Sequence, residues 1–215
     1  MKTLVIASQK GGVAKTTLTT ELAYAATASG LATAIIDTDP QATSCFWGEA
    51  RGQGDIAISP VFPALLDSRL KALEMTGCDL AIIDTPAVSK DTASAAIRHA
   101  DFVLVPARPS AFDLKSMLET IEQAVSLKKP YAIVITMCPA QHGPEVNTTI
   151  ERMATLHHEI CPVLIHHYVA YPRAQKHGLA TQEIDPDCKA AAEIQLLYAY
   201  TLKRLGLSKN RRKFA

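Results

Sequence analysis

Short, near-continuous apolar runs recur along the chain at 3–8, 33–37, 79–84, 102–106, 131–136 and 162–165, rich in valine and isoleucine. Strands covered on both faces need runs of that length and kind. Between them the spacing of apolar positions lengthens toward a helical period, over 16–29, 64–76, 90–99, 112–127, 145–158 and 187–205. This alternation predicts an α/β fold: a doubly wound, mostly parallel β-sheet with helices on both faces. Gly30 suits the C-terminal cap of the first helix, and Pro40, Pro86 and Pro106 punctuate strand ends. Ligands of such sheets bind beyond the carboxyl ends of the strands, so the residues just after each apolar run carry the most information.

Length and composition narrow the class. The chain has 215 residues, 48% hydrophobic and 20% charged, as expected of one globular domain over 1–215 ending in a basic tail at 206–215. No apolar run approaches the roughly 20 residues of a membrane span, and the stretch after Lys2 is too short for a signal peptide. Five cysteines, an odd number with no C-x-x-C pair, argue against a disulfide framework or zinc site and for a reducing cytoplasm. A net charge of +1 makes no global case for nucleic acid, but the end "LKRLGLSKNRRKFA" holds six of the 22 Lys and Arg residues and no acid.

The first apolar run leads into "SQKGGVAKTT", residues 8–17. The common phosphate loop reads G-x-x-x-x-G-K-[ST], and counting back from Lys15 its two glycines would fall at Gln9 and Ala14. Gly11 and Gly12 stand elsewhere in the loop, with a second lysine, Lys10. Glycines there let successive N–H groups curl around an anion, and the next helix presents its positive end to the same phosphates. Val13 and Ala14 complete the loop, Lys15 supplies charge to the β/γ-phosphates, and Thr16 a hydroxyl to Mg²⁺.

Two further strand ends are acidic. "AIIDTP" places Asp84 after a buried run, where a carboxylate is costly unless it meets a cation, as a Mg²⁺-holding Walker-B acid does. "AIIDTDPQ" sets Asp37 and Asp39 two apart; in extended chain they would share a face, one near the metal and one orienting a water. A turn of the Asx type before Pro40 is the structural alternative.

K-G-G-x-x-K-T-T, then D-x-D-P-Q, then I-I-D-T-P together resemble the deviant Walker ATPases, the ParA/MinD family. "DFVLVPARPSAFDL" is similar to the family segment after the Walker-B strand, and "YVAYPRAQKHGLATQEIDPDCKAAAEIQLL" to the C-terminal part of short plasmid-partition ParA proteins. Ala14 replaces the more usual glycine, and Ala111 stands where some short members have proline. The resemblance implies ATP or ADP as the nucleotide and Mg²⁺ as the metal. It gives Lys10 the role of a lysine reaching across an ATP-dependent homodimer to the partner's phosphates. It implies that Asp39 positions the hydrolytic water with Asp37 near the metal, that Thr17 contacts the α-phosphate, and that 39–47 is a switch loop. The base pocket is expected around 136–139, with Met137 and Pro139, and near Tyr171 and Pro172.

The same resemblance implies non-specific DNA binding by the dimer and a ParB- or ParG-like, centromere-binding partner that stimulates hydrolysis. Phosphate-reaching candidates are Arg173 and Lys176 in "YPRAQKHG", then Lys203, Arg204, Lys209, Arg211, Arg212 and Lys213. A MinD-like membrane cycle is the alternative, with the last helix as anchor, as is a relative positioning a non-DNA cargo. Apolar residues at 196–205 suit packing on the sheet better, so no stable membrane association is expected and a nucleoid-associated cytoplasmic location is.

Overall fold

A computed structural model describes residues 1–110, 114–141 and 143–207. Six strands, β1 (Lys2–Ile6), β2 (Thr33–Asp37), β3 (Ala57–Pro60), β4 (Leu80–Asp84), β5 (Phe102–Ala107) and β6 (Tyr131–Ile135), form one sheet in the order β3-β2-β4-β1-β5-β6. Every pairing is parallel. β2, β4 and β5 are buried at every residue, as their uninterrupted apolar runs require.

Successive side chains of a strand point to opposite faces, and the two cores divide accordingly. Leu4, Ile6, Ile35 and Ile82 face one way, against Leu18 and Leu22 of α1 (Lys15–Ala28), Trp47 of α2 (Thr43–Arg51) and Ile194, Leu197 and Leu202 of α9 (Lys189–Leu205). Val5, Ile36, Ile83 and Val105 face the other, against α3 (Leu66–Met75), α4 (Lys90–Arg98), α5 (Leu114–Ser126) and α6 (Pro144–Thr155). Each fully buried leucine or isoleucine contributes roughly 1.5–3 kcal/mol. Two short helices, α7 (Ala170–Gln175) and α8 (Thr181–Ile184), lie between β6 and α9 in sequence. The predicted doubly wound parallel fold is the observed one.

The expected strand at 162–165 is not formed. The segment runs beside β6, with Cys161 N donating to Ile133 O at 2.7 Å and Ile165 N to Ile135 O at 2.9 Å, but only isolated bridges result. Pro162 lacks the N–H a continuous ladder needs. The edge strand β3 and the helices α2, α7 and α8 were absent from the expectation.

Register sets up the site. Ile6 pairs with Asp84, and Asp37 with Asp84, so the carboxyl ends of β1, β4 and β2 finish level. The chain leaving each of them converges on one spot.

Candidate functional site

Beyond β1 the chain turns through an open loop before α1 begins at Lys15. Gly11 and Gly12 are exposed, and Gly12 takes a left-handed backbone, φ 69°. Ala14, the N-cap of α1, is left-handed as well, φ 65°, where a side chain costs about 1–2 kcal/mol. That position is the one at which the common motif has glycine. Val13 is buried, and its carbonyl accepts from Thr136 Oγ1 at 3.1 Å, tying the loop to the end of β6. Met137 follows there, left-handed at φ 55°, and Pro139 is exposed.

Lys15 is 8% exposed, and its Nζ donates to the Lys10 carbonyl at 3.1 Å. Burial lowers its pKa, opposed by the negative charges of Asp84 and Asp39. Thr17 Oγ1 accepts from Gln175 Nε2 at 3.2 Å, joining α1 to α7.

Asp84 is 1% exposed. Its Oδ2 accepts from Ser44 Oγ at 2.8 Å, while its Oδ1 is buried with no hydrogen-bond partner. Burial raises this carboxyl to about 6, against the opposing influence of Thr16, Ser44 and Lys15. An unsatisfied carboxylate oxygen beside a lysine and a threonine hydroxyl suits the water shell of a hard cation. Such an orphan atom is costly unless something arrives to use it.

Asp37 ends the neighbouring strand level with Asp84, close enough for its charge to raise the Asp84 carboxyl, and both of its oxygens are engaged. Its Oδ1 accepts from Asp39 N at 3.0 Å, and its Oδ2 from Ser44 N at 2.9 Å and Cys45 N at 3.4 Å. Oδ2 thus caps the start of α2, while Oδ1 closes a turn onto Asp39 N ahead of the helix. β2 ends at Asp37, so the extended geometry that would have put both acids on one face stops there. Asp39 instead accepts from Gln41 N at 2.9 Å in an Asx turn, although its charge still reaches Lys15.

The pattern described as "CobQ/CobB/MinD/ParA nucleotide binding domain" matches residues 4–181. The chain belongs to this family. Among curated ParA/MinD relatives, "Maintenance of carboxysome distribution protein A" of Gloeobacter kilaueensis is 28% identical over 208 residues, covering 89% of this chain and 93% of that one. "Protein ParA" of Rhizobium radiobacter is 32% identical over 152 residues, 64% of this chain and 65% of its own length. Among solved structures, apo McdA of Cyanothece superposes with TM-score 0.80 at 22% identity, covering 94% of this chain and 99% of that one. A putative plasmid partition protein of Borrelia burgdorferi bound to AMPPNP superposes with TM-score 0.74 at 19% identity, covering 94% and 99%.

Among the described residues, the expected DNA-facing side chains lie in two places. Arg173 and Lys176 are exposed beside the phosphate-loop end, since Gln175 between them bonds Thr17. Lys203 and Arg204 lie on the last turn of α9, at the opposite end of the sheet. Arg204 there bonds Glu159 Oε2 at 2.7 Å and stacks 5.4 Å from the ring of Phe102, the first residue of β5. Both contacts are made at the surface, where Arg204 is exposed. Lys209, Arg211, Arg212 and Lys213 lie outside the described residues, as does Ala111. No helix among the described residues is long and apolar enough to cross a membrane.

Sequence reasoning missed Ser44 and Gln175, both of which touch site residues. Ser44 is 40 positions from Asp84, and only the β2–β4 register brings them together. No local pattern announces such a pair.

Proposed function

We propose that the chain is a Mg²⁺-dependent ATPase that dimerises on ATP, binds DNA without sequence preference, and positions or segregates a cargo through partner-stimulated hydrolysis. The observation that supports it most is the orphaned Oδ1 of Asp84 next to buried Lys15, at the amino end of α1. Lys15 has folded onto a backbone carbonyl, so a phosphate oxygen would replace a weaker acceptor with a charged one. The loop N–H groups and the helix end add to that pull. In this reading Thr16 and Asp84 hold Mg²⁺, which neutralises charge on the phosphate oxygens. Lys10 is the second cation, reaching the partner's nucleotide, and Asp39 orients the attacking water. Met137, Pro139 and the chain near Tyr171 border the base.

Relatives called ParA and IncC and relatives called carboxysome distribution proteins support one ATPase cycle with different cargoes. Arg173 and Lys176 are the DNA contacts best supported, by their exposure and by the bond of Gln175, between them, to Thr17. The test is co-sedimentation with random-sequence DNA and, separately, with anionic liposomes, each in ATP, ADP or neither. DNA binding in ATP alone, weakened by salt and by Arg173→Ala, is expected. ATP-dependent liposome binding without DNA binding would replace this reading with a membrane cycle.

A further inference from the structure

Helix α2 is fastened at its start to the strand-end carboxylates Asp37 and Asp84 and at its end to the turn between α7 and α8. At its start, Ser44 is fully buried, donating its N–H to Asp37 and its hydroxyl to Asp84. At its end, Arg51 donates Nη1 to Gly178 O at 3.2 Å and to Glu183 Oε2 at 2.8 Å. The same guanidinium stacks 5.2 Å from Trp47 and 5.4 Å from Tyr24. Trp47 Nε1 donates to Leu179 O at 3.2 Å. Gly178 is left-handed, φ 65°, and a Cβ there would fall 2.1 Å from Arg51 N, so only glycine lets the turn between α7 and α8 come this close.

A nine-residue helix spans about 13 Å and is stiff over that distance. Its far contact is the turn that follows Arg173 and Lys176, and that segment is also held to the phosphate loop by Gln175 on Thr17. Motion at Ser44 therefore either moves this turn or breaks a buried, bidentate ion pair.

We propose that α2 is a strap through which the engagement of Asp84 is read at the turn between α7 and α8, with Ser44 as its positioning residue. This rests on the proposed function, since Mg²⁺ with nucleotide is what engages Asp84. One carboxylate oxygen is held by Ser44 while the other awaits a partner. A partner there fixes the plane and charge of the carboxylate, and the Ser44 hydroxyl then makes a charge-assisted bond in a fixed direction. The strap carries that direction to Arg51, and so to the segment bearing Arg173.

Trp47 is the only tryptophan in the chain, so its emission reports this strap alone. The wild type is expected to change emission when ATP is added with Mg²⁺ and to change far less in EDTA. Ser44→Ala should still bind Mg²⁺–ATP by calorimetry yet lose most of that change. A full wild-type response in Ser44→Ala overturns the role of Ser44. Calorimetric binding without any response in the wild type overturns the strap, while an absence of binding removes the proposed function beneath it. Should Ser44→Ala fail to fold, hydrogen exchange on the wild type decides. Mg²⁺–ATP must protect 43–51 and 178–183 together, and protection of 43–51 alone overturns the strap.

Discussion

The ends of β2 and β4 present two carboxylates in register, Asp37 and Asp84, each 1% exposed, and the fold treats them oppositely. Asp37 receives three backbone N–H groups and begins a helix. Asp84 accepts from the Ser44 hydroxyl, has the Thr16 hydroxyl beside it, and keeps Oδ1 without a hydrogen bond. Burial raises both pKa values, but at Asp37 three backbone hydrogen bonds oppose the shift, while at Asp84 it reaches about 6. The contrast is between an acid whose two oxygens are taken up by backbone N–H groups and an acid that keeps one oxygen open. Burial alone does not distinguish them; the direction of neighbouring donors does.

The largest effect should fall on Asp84. Asp84→Asn is expected to slow phosphate release from ATP by about 100-fold. The nucleotide-free variant should melt no lower than the wild type, because a buried unsatisfied charge has gone. A fall in melting temperature would mean that Asp84 is structural after all.

Glu21 offers a control that is buried like Asp84 and satisfied like Asp37. It is fully buried and accepts from Thr181 N, Thr181 Oγ1 and Gln182 Nε2, yet burial raises it from 4.5 to about 6. Between those values the folded chain keeps a proton that the unfolded chain has lost, so stability falls as pH rises through the window. The penalty is absent below 4.5 and complete above about 6, and amounts to about 2 kcal/mol. Urea unfolding of Glu21→Gln beside the wild type should show their stability difference moving by that amount toward the variant between pH 4.5 and 7. A pH-independent difference would show that Glu21 is not shifted.

Asp37→Ala removes the cap of α2 and is expected to cost about 1–2 kcal/mol in urea unfolding. Its affinity for Mg²⁺–nucleotide should fall less than that of Asp84→Asn; the reverse order would make Asp37 the principal metal ligand. The smallest change is Ala14→Gly, which relieves a left-handed alanine but frees the unfolded chain, for a net gain of about 0.5–1 kcal/mol.

The sequence made the central sheet legible because β1, β2, β4, β5 and β6 coincide with apolar runs long enough to be covered twice. β3 was hidden because an edge strand needs little burial, and its residues are exposed or half-buried. α2 was hidden because its start carries no cap of its own. Ala42 precedes it in a left-handed conformation, and the capping oxygen belongs to Asp37, seven residues before Ser44. α7 and α8, of six and four residues, are too short to show a helical period. At the site, Lys15, Thr16 and Asp84 stood out through spacing and strand position. Ser44 and Arg51 did not, since their partners, Asp84 and Glu183, lie 40 and 132 residues away and meet them only through tertiary packing.

The most direct measurement is calorimetric titration of ATP into the wild type and Asp84→Asn, each with Mg²⁺ and with EDTA. The account predicts that Mg²⁺ strengthens ATP binding to the wild type and that Asp84→Asn loses this increment while still binding ATP in EDTA. Equal affinity of the wild type in Mg²⁺ and EDTA, or an undiminished Mg²⁺ increment in Asp84→Asn, would contradict it.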